Sequence, residues 1–200
     1  MNRGLAILGN TLFMVTIDAR LVAVDARDGK PLWRTAVAEP TDGYAMTMAP
    51  LVVKDKVIVG VAGGEYGIRG FIAAFDAVTG KEVWRFYTIS VPGEPGHETW
   101  SGDDWKTGGA PVWVPGSYDP VLNLTYWGTG NPGPDWTAGQ TVLRTASFRV
   151  RGDVLLGKRL KIVLSESSWR GPWHPCRSSP QSLDCRVGDA PVLSMRLGPR

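Results

Sequence analysis

Three short stretches hold side chains that a plain scaffold has no need of. Ala62-Gly63-Gly64-Glu65-Tyr66-Gly67 places one carboxylate among glycines, directly after an apolar run. Glycine lets backbone approach a ligand closely, and a carboxylate offers hard oxygen to a cation such as Ca²⁺. Gly128-Thr129-Gly130-Asn131-Pro132-Gly133-Pro134 ends another apolar run with an amide oxygen in a rigid turn. Gly108-Gly109-Ala110-Pro111-Val112-Trp113 presents an aromatic plane beside small residues, which suits stacking on a flat cofactor. Each stretch taken alone also has an ordinary reading: Glu65 as a solvated loop acid, Asn131 as a turn residue, Trp113 as a core aromatic.

The elements that must position these groups are announced by a repeat. Leu21-Val-Ala-Val-Asp-Ala-Arg-Asp-Gly-Lys-Pro-Leu-Trp33 returns 51 residues later as Ile72-Ala-Ala-Phe-Asp-Ala-Val-Thr-Gly-Lys-Glu-Val-Trp84. Asp25, Gly29, Lys30 and Trp33 match Asp76, Gly80, Lys81 and Trp84 in one register. A fixed period of about 50 residues marks an architecture whose units bury their apolar faces only against each other. Each copy reads as a hairpin. An apolar run leads into a turn where Asp accepts from amides ahead and Gly supplies positive φ, and a second strand carries the Trp. A Trp at a fixed place in each unit suits wedging between adjacent sheets.

Strands are expected at Leu5–Leu8, Thr11–Ile17, Leu21–Val24 and Pro31–Ala36, making one four-stranded sheet. Pro50–Val53, Val57–Val61, Phe71–Phe75 and Glu82–Thr88 make the next, and Pro111–Trp113, Gly116–Asp119 and Thr125–Thr129 resume strand character. Pro92 to Gly109 is a long loop with His97, Glu98, Asp103 and Asp104; loops of that length are usually functional or disordered.

Composition agrees with an all-β chain: 25 Gly, 15 Pro and nine Trp among 200 residues, with no convincing amphipathic helix. No run is long enough to span a membrane, and Met1-Asn2-Arg3-Gly4 lacks the charged-then-apolar pattern of a secretory leader. The net charge of +3 averages two unlike halves. Residues 141–200 carry nine Arg and two Lys against four acids, a net of +7, while residues 1–140 carry a net of −4. A basic tail suggests a nucleic-acid arm, but Phe148, Trp169 and Trp173 are too scattered for base stacking, and no nucleic-acid partner is expected. Residues 137–200 are read instead as a disordered extension or a segment in a shifted reading frame. Cys176 and Cys185, with His174 near, lack metal-ligand spacing.

Taken together, the stretches are specific. Asn-Arg-Gly-Leu-Ala at 2–6, Ala-Pro-Leu-Val-Val at 49–53 and Gly-Gly-Glu-Tyr-Gly-Ile-Arg-Gly at 63–70 form a first group. Pro-Gly-Glu-Pro-Gly-His-Glu-Thr-Trp at 92–100 and Tyr-Trp-Gly-Thr-Gly-Asn-Pro-Gly-Pro at 126–134 complete it. From Asn2 to about Trp136 the sequence resembles the pyrroloquinoline-quinone (PQQ) dependent alcohol dehydrogenases, the quinoproteins that include methanol and ethanol dehydrogenases. The resemblance implies an all-β, partial β-propeller of about two to three four-stranded blades, out of the family's eight, joined by its tryptophan-docking motif. The domain reading is 1–136 as partial PQQ-binding propeller and 137–200 as a non-matching Arg-rich tail.

The same resemblance implies roles. Glu65 and Asn131 match the family's ligands to Ca²⁺, or to a lanthanide in some members. Trp113 matches the floor under the PQQ ring, Arg3 and Thr47 match polar contacts to the cofactor, and Ala62, Gly63 and Gly64 match the small-residue segment beside it. A small primary alcohol as substrate, a c-type cytochrome as electron acceptor and a periplasmic location are implied as well. Two family features are missing: the vicinal cysteine pair before Asn-Arg-Gly-Leu-Ala, and the stretch with the catalytic aspartate after the Gly-Asn-Pro-Gly-Pro turn. Asp153 has surroundings that do not fit, so no residue is assigned as the base. The expectation is an internal fragment, inactive by itself; the alternative is a non-catalytic propeller scaffold, which would need none of Glu65, Asn131, Trp113 and Arg3.

Overall fold

The apolar run and Asp-Gly turn of the repeated phrase become antiparallel sheet in both copies. The computed structural model describes residues 2–94, 97–130 and 133, and the strands at 146–151, 165–166, 177–179, 182–187 and 190–196. Met1–Ser167 form one compact unit and Ser168–Arg200 a second. In the first unit, β1 (Ala6–Leu8), β2 (Thr11–Val15), β3 (Arg20–Asp25) and β4 (Pro31–Ala36) pair in sequence order. The second sheet repeats that order with β5 (Leu51–Val53), β6 (Lys56–Gly60), β7 (Phe71–Asp76) and β8 (Glu82–Tyr87). A third repeats it again with β9 (Ser117–Asp119), β10 (Leu124–Gly128), β11 (Ala146–Arg151) and β12 (Ser165–Glu166). The second unit is a meander of β13 (Arg177–Ser179), β14 (Ser182–Val187) and β15 (Ala190–Arg196). No α-helix occurs among the described residues, and none is long and apolar enough to cross a membrane.

Burial follows from how the sheets of the first unit stack. In β2 and β3, Phe13, Val15, Leu21 and Ala23 are buried while their alternates are partly open, so one face is covered. Every residue of β6 is buried, and so are the first five of β7, because the second sheet has neighbours on both faces. Ala73 and Ala74 between Phe71 and Phe75 leave room for those neighbours to approach. One residue departs from the apolar rule. The Lys56 amino group is nearly buried and is satisfied by Asp55 at 2.5 Å and Asp76 at 3.8 Å.

The two hairpin turns are built alike. Asp25 Oδ1 accepts from the Arg27 amide at 2.8 Å, and Asp76 Oδ1 accepts from Thr79 at 2.9 Å. Gly29 and Gly80 sit at φ 71° and 68°, and each pair of flanking strands carries a bulge at the same place, after Ala23 and after Ala74. Trp33 then crosses to the second sheet. Its Nε1 donates to Ala77 O at 3.2 Å, and Thr35 Oγ1 donates to Gly80 O at 2.7 Å. A Cβ on Gly80 would lie 2.5 Å from the Trp33 ring, whereas a Cβ on Gly29 would meet nothing within 4 Å. The dock is therefore filled at the second turn. Trp84 Nε1 is buried too, with no acceptor among the described residues.

One expected strand is absent: Pro111–Trp113 is irregular. Proline has no N–H to give a ladder, and Pro111 O is taken by Gly130 N at 2.7 Å instead.

Gly29→Ala and Gly80→Ala share the cost of an L-residue at positive φ, about 1 kcal/mol. Gly80→Ala adds overlap with Trp33, a further loss of about 1–3 kcal/mol. Urea unfolding of both variants checks this, and equal losses would show that the Trp33 contact does not join the sheets. The Arg27 side chain and amide hold the Asp25 carboxyl at about 2, against an ordinary 3.8. A depressed carboxylate stabilises the fold above its unfolded value, and that contribution is lost as pH falls from 3.8 toward about 2. Urea midpoints at pH 5, 3 and 2 should fall in that window, and fall less steeply in Asp25→Asn.

Candidate functional site

The segment from Gly108 to Pro111 brings the three chemistry-bearing stretches together through backbone alone. On one edge, Gly109 N donates to Ile68 O at 2.8 Å and Gly70 N donates to Gly109 O at 2.7 Å, which docks the hairpin that carries Glu65. On the other, Gly133 N donates to Gly108 O at 2.8 Å and Gly130 N to Pro111 O at 2.7 Å. These two glycines flank Asn131, which itself lies outside the described residues. Thr88 Oγ1 closes the remaining carbonyl, Ala110 O, at 2.7 Å.

Small residues make this approach possible. Added Cβ atoms on Gly64 and Gly130 would both lie 2.9 Å from the Pro111 ring, and one on Gly133 would lie 2.4 Å from Gly64 O. Gly63, at φ 116°, passes so close to Gly43 O that a Cβ would sit 2.1 Å from it. Residues 64–66 form a single 3-10 turn, in which Gly64 is buried and Glu65 is exposed. Ala62 enters that turn through paired bonds with Ala45, 3.1 and 2.7 Å long. The Glu65 carboxylate makes no hydrogen bond or ion pair with a described residue, and no cluster of three His, Cys, Asp or Glu occurs among the described residues.

Arg3, Thr47 and Trp113 meet beside this junction. Thr47 lies between the buried Met46 and Met48 and is itself only partly buried. Thr47 Oγ1 donates to Trp113 O at 3.4 Å, and Thr47 O accepts from Arg3 N at 3.0 Å and from Arg3 Nη1 at 3.3 Å. The Arg3 guanidinium then lies 4.7 Å from the centre of the Trp113 ring, which is 40% exposed. A partly exposed indole with a cation beside it brings an aromatic surface and a positive charge to one place, groups that suit a flat, anionic ligand. Arg3 is steadied by Asn2, whose side chain donates to Val15 O at 2.9 Å and accepts from Gly4 N at 2.7 Å.

A family model described as the β-propeller domain of PQQ-dependent glucose, ethanol and alcohol dehydrogenases matches residues 7–148. The chain belongs to this family. A quinohemoprotein alcohol dehydrogenase, ADH IIB from Pseudomonas putida, is 48% identical over 147 residues, covering 67% of this chain and 21% of that protein. A lanthanide-dependent methanol dehydrogenase from Methylacidiphilum fumariolicum is 45% identical over 159 residues, covering 70% of this chain and 26% of that protein. Among solved structures, a europium-containing methanol dehydrogenase superposes with a TM-score of 0.71 at 40% identity, covering 76% of this chain and 30% of that one. The chain thus spans about a fifth to a quarter of the curated relatives it matches. The sheets of β1–β4 and β5–β8, together with β9 and β10 of the third, correspond to the family's propeller domain.

Two contributors were not singled out from sequence. Met48 Sδ, fully buried, accepts from Gly60 N at 2.8 Å and ties the Thr47 segment to β6. Arg69 stands inside a quoted motif but received no role; only its neighbours in space reveal one. Gly60 in turn backs onto Val112, where a Cβ would lie 2.3 Å from Val112 O. Gly60→Ala should therefore cost about 1–3 kcal/mol by overlap. Urea unfolding measures it, and an unchanged midpoint would show that Val112, and with it Trp113, is not held by this contact.

Proposed function

We propose that this chain supplies the Glu65, Asn131 and Trp113 portion of a PQQ- and metal-dependent dehydrogenase that oxidises a primary alcohol to the aldehyde. The observation that carries the reading is the convergence on Gly108–Pro111 of the Glu65 hairpin and of Gly130 and Gly133, with Arg3 and Thr47 gathered on Trp113. The residues offer the right chemistry for the cofactor: a partly exposed indole with a guanidinium over its ring, beside glycines that let the Glu65 hairpin pack against Pro111. Relatives named as alcohol dehydrogenase and lanthanide-dependent methanol dehydrogenase support the same class.

The chemistry PQQ supplies when bound is acceptance of a hydride from the alcohol carbon, with a Ca²⁺ or lanthanide ion polarising the quinone carbonyl. The protein's part is to hold and insulate. Trp113 provides a flat apolar floor, and Arg3 gives charge-assisted hydrogen bonds to a carboxylate. Thr47 adds a polar contact, while Ala62, Gly63 and Gly64 keep bulk away. Glu65 and Asn131 supply the carboxylate and amide oxygens that a hard cation prefers. The Arg-rich residues 137–200 are given no part in this chemistry, and no residue of the chain is assigned as the base that takes the alcohol proton. A periplasmic location and a c-type cytochrome as electron acceptor belong to the proposal, the latter supported by relatives named methanol dehydrogenase (cytochrome c) subunit 1. The exposed Glu65, Trp113 and Arg3 weigh against a purely scaffolding propeller.

The test is a titration of the purified 200-residue chain with PQQ, read by quenching of tryptophan emission, with and without Ca²⁺ or La³⁺. Quenching should depend on the metal. Trp113→Ala should weaken PQQ binding, and Glu65→Gln should weaken the metal dependence, each by about tenfold or more, equivalent to about 1.4 kcal/mol. Metal-independent quenching that both variants retain would sink the reading. With PQQ, Ca²⁺ and an artificial dye, the chain alone should not oxidise methanol or ethanol; dye-linked turnover would show that it carries its own base.

A further inference from the structure

Arg69 reaches both the Gly108–Pro111 junction and the loop that leads into it. Its backbone belongs to the Gly108–Pro111 junction, bridging to Gly109 in parallel between the two hydrogen bonds made by Ile68 and Gly70. Tyr44 grips the same peptide groups: its hydroxyl donates to Arg69 O at 3.2 Å and accepts from Arg69 N at 3.3 Å. The side chain turns the other way, toward the long 92–107 loop. Its Nε and Nη2 both donate to Ile89 O, at 3.1 and 2.5 Å. Its guanidinium carbon lies 3.9 Å from the centre of the Tyr87 ring and 5.2 Å from that of Trp105.

Arg69 is thus the central rung of a ladder of rings and cations. Outward from Trp105 stands Lys106, 5.7 Å from the indole, with the His97 ring edge-on at 6.0 Å. Inward from Tyr87 stand Phe71 at 5.7 Å and then Arg85, 4.0 Å from the Phe71 ring. The Arg85 side chain ends on Val37 O at 2.9 Å, in the segment that leaves the first blade. A loop this long is costly to order, and it leads directly into Gly108. A planar, weakly hydrated, multiply donating guanidinium can stack on an aromatic face and fork onto a carbonyl at once; an ammonium cannot.

We infer that Arg69 is a positioning residue: by clamping Trp105 of the 92–107 loop against Tyr87 of β8, it sets the Gly108–Pro111 junction on which the Glu65 hairpin and Trp113 depend. The link to ligand binding rests on the function proposed above, while the clamp itself does not.

The experiment uses the whole chain with Arg69→Leu and Arg69→Lys, and Arg27→Leu as a surface control. Hydrogen exchange is followed by mass spectrometry in peptides covering 100–110 and, for comparison, β2 and β3. PQQ binding is titrated on the same samples below their unfolding midpoints. Both Arg69 variants should speed exchange in 100–110 about tenfold, leave β2 and β3 unchanged, and raise the Kd for PQQ about tenfold; Arg27→Leu should neither speed exchange in 100–110 nor raise that Kd. Exchange in 100–110 that stays at the unmutated rate, or full rescue by Arg69→Lys, overturns the clamp. A loosened loop with an unchanged Kd overturns its positioning role. If the unmutated chain takes up no PQQ, the proposed function falls, and the exchange arm still decides whether Arg69 is the clamp.

Discussion

Backbone pairing along Gly108, Gly109, Ala110 and Pro111 is the constraint on which the candidate site depends. Gly108, Gly109 and Ala110 have almost no side chain, so what they offer their neighbours is peptide groups, while Pro111 adds its ring against Gly64 and Gly130. The carbonyls of all four and the Gly109 amide find partners: one edge in the Glu65 hairpin, the other in the amides of Gly130 and Gly133, with the Thr88 hydroxyl between. Buried peptide groups must be paired, and here the pairing aligns three segments far apart in sequence. Side-chain bulk would defeat it, as the overlaps at Gly64, Gly130 and Gly133 show.

The blades serve that junction by being stiff. The second sheet lies between two others, so β6 and β7 are buried on both faces and their ends hold Gly60 and Arg69 still. The Trp33 dock fixes the first blade on the second, and Arg85 reaches back to Val37 O. Met48, linked through sulfur to Gly60 N, carries that rigidity to Thr47. Rigid strands thus present short loops, and chemistry is expected where such loops meet.

How much of this was legible beforehand depends on whether the cause is local. Asp25 with Gly29 and Asp76 with Gly80 form their turns because the Asp oxygen and the glycine φ act within five residues, so the motif sufficed. Strand character was legible in short apolar runs bounded by turn residues, while which side of β2 and β3 is buried emerged only from the packing. Pro111–Trp113 misled because its apolar pattern resembles a strand, while its partners are single hydrogen bonds from separate turns. Arg69 was invisible in function because its partners Tyr44, Tyr87, Ile89 and Trp105 lie 18 to 36 residues away, at no regular spacing.

The amino-acid sequence by itself determined that the chain is built of repeated four-stranded sheets, that a tryptophan joins them, and which residue types could meet a metal and a flat anionic ring. It could do so because strand period, turn chemistry and side-chain chemistry are properties of short segments. Only the tertiary structure decided that Arg3, Thr47 and Trp113 touch, that the Glu65 hairpin shares one backbone junction with Gly130 and Gly133, and that Arg69 clamps the loop leading into it. Those contacts arise from stacking one blade on the next, and the distance between two surfaces is written in no single segment of either.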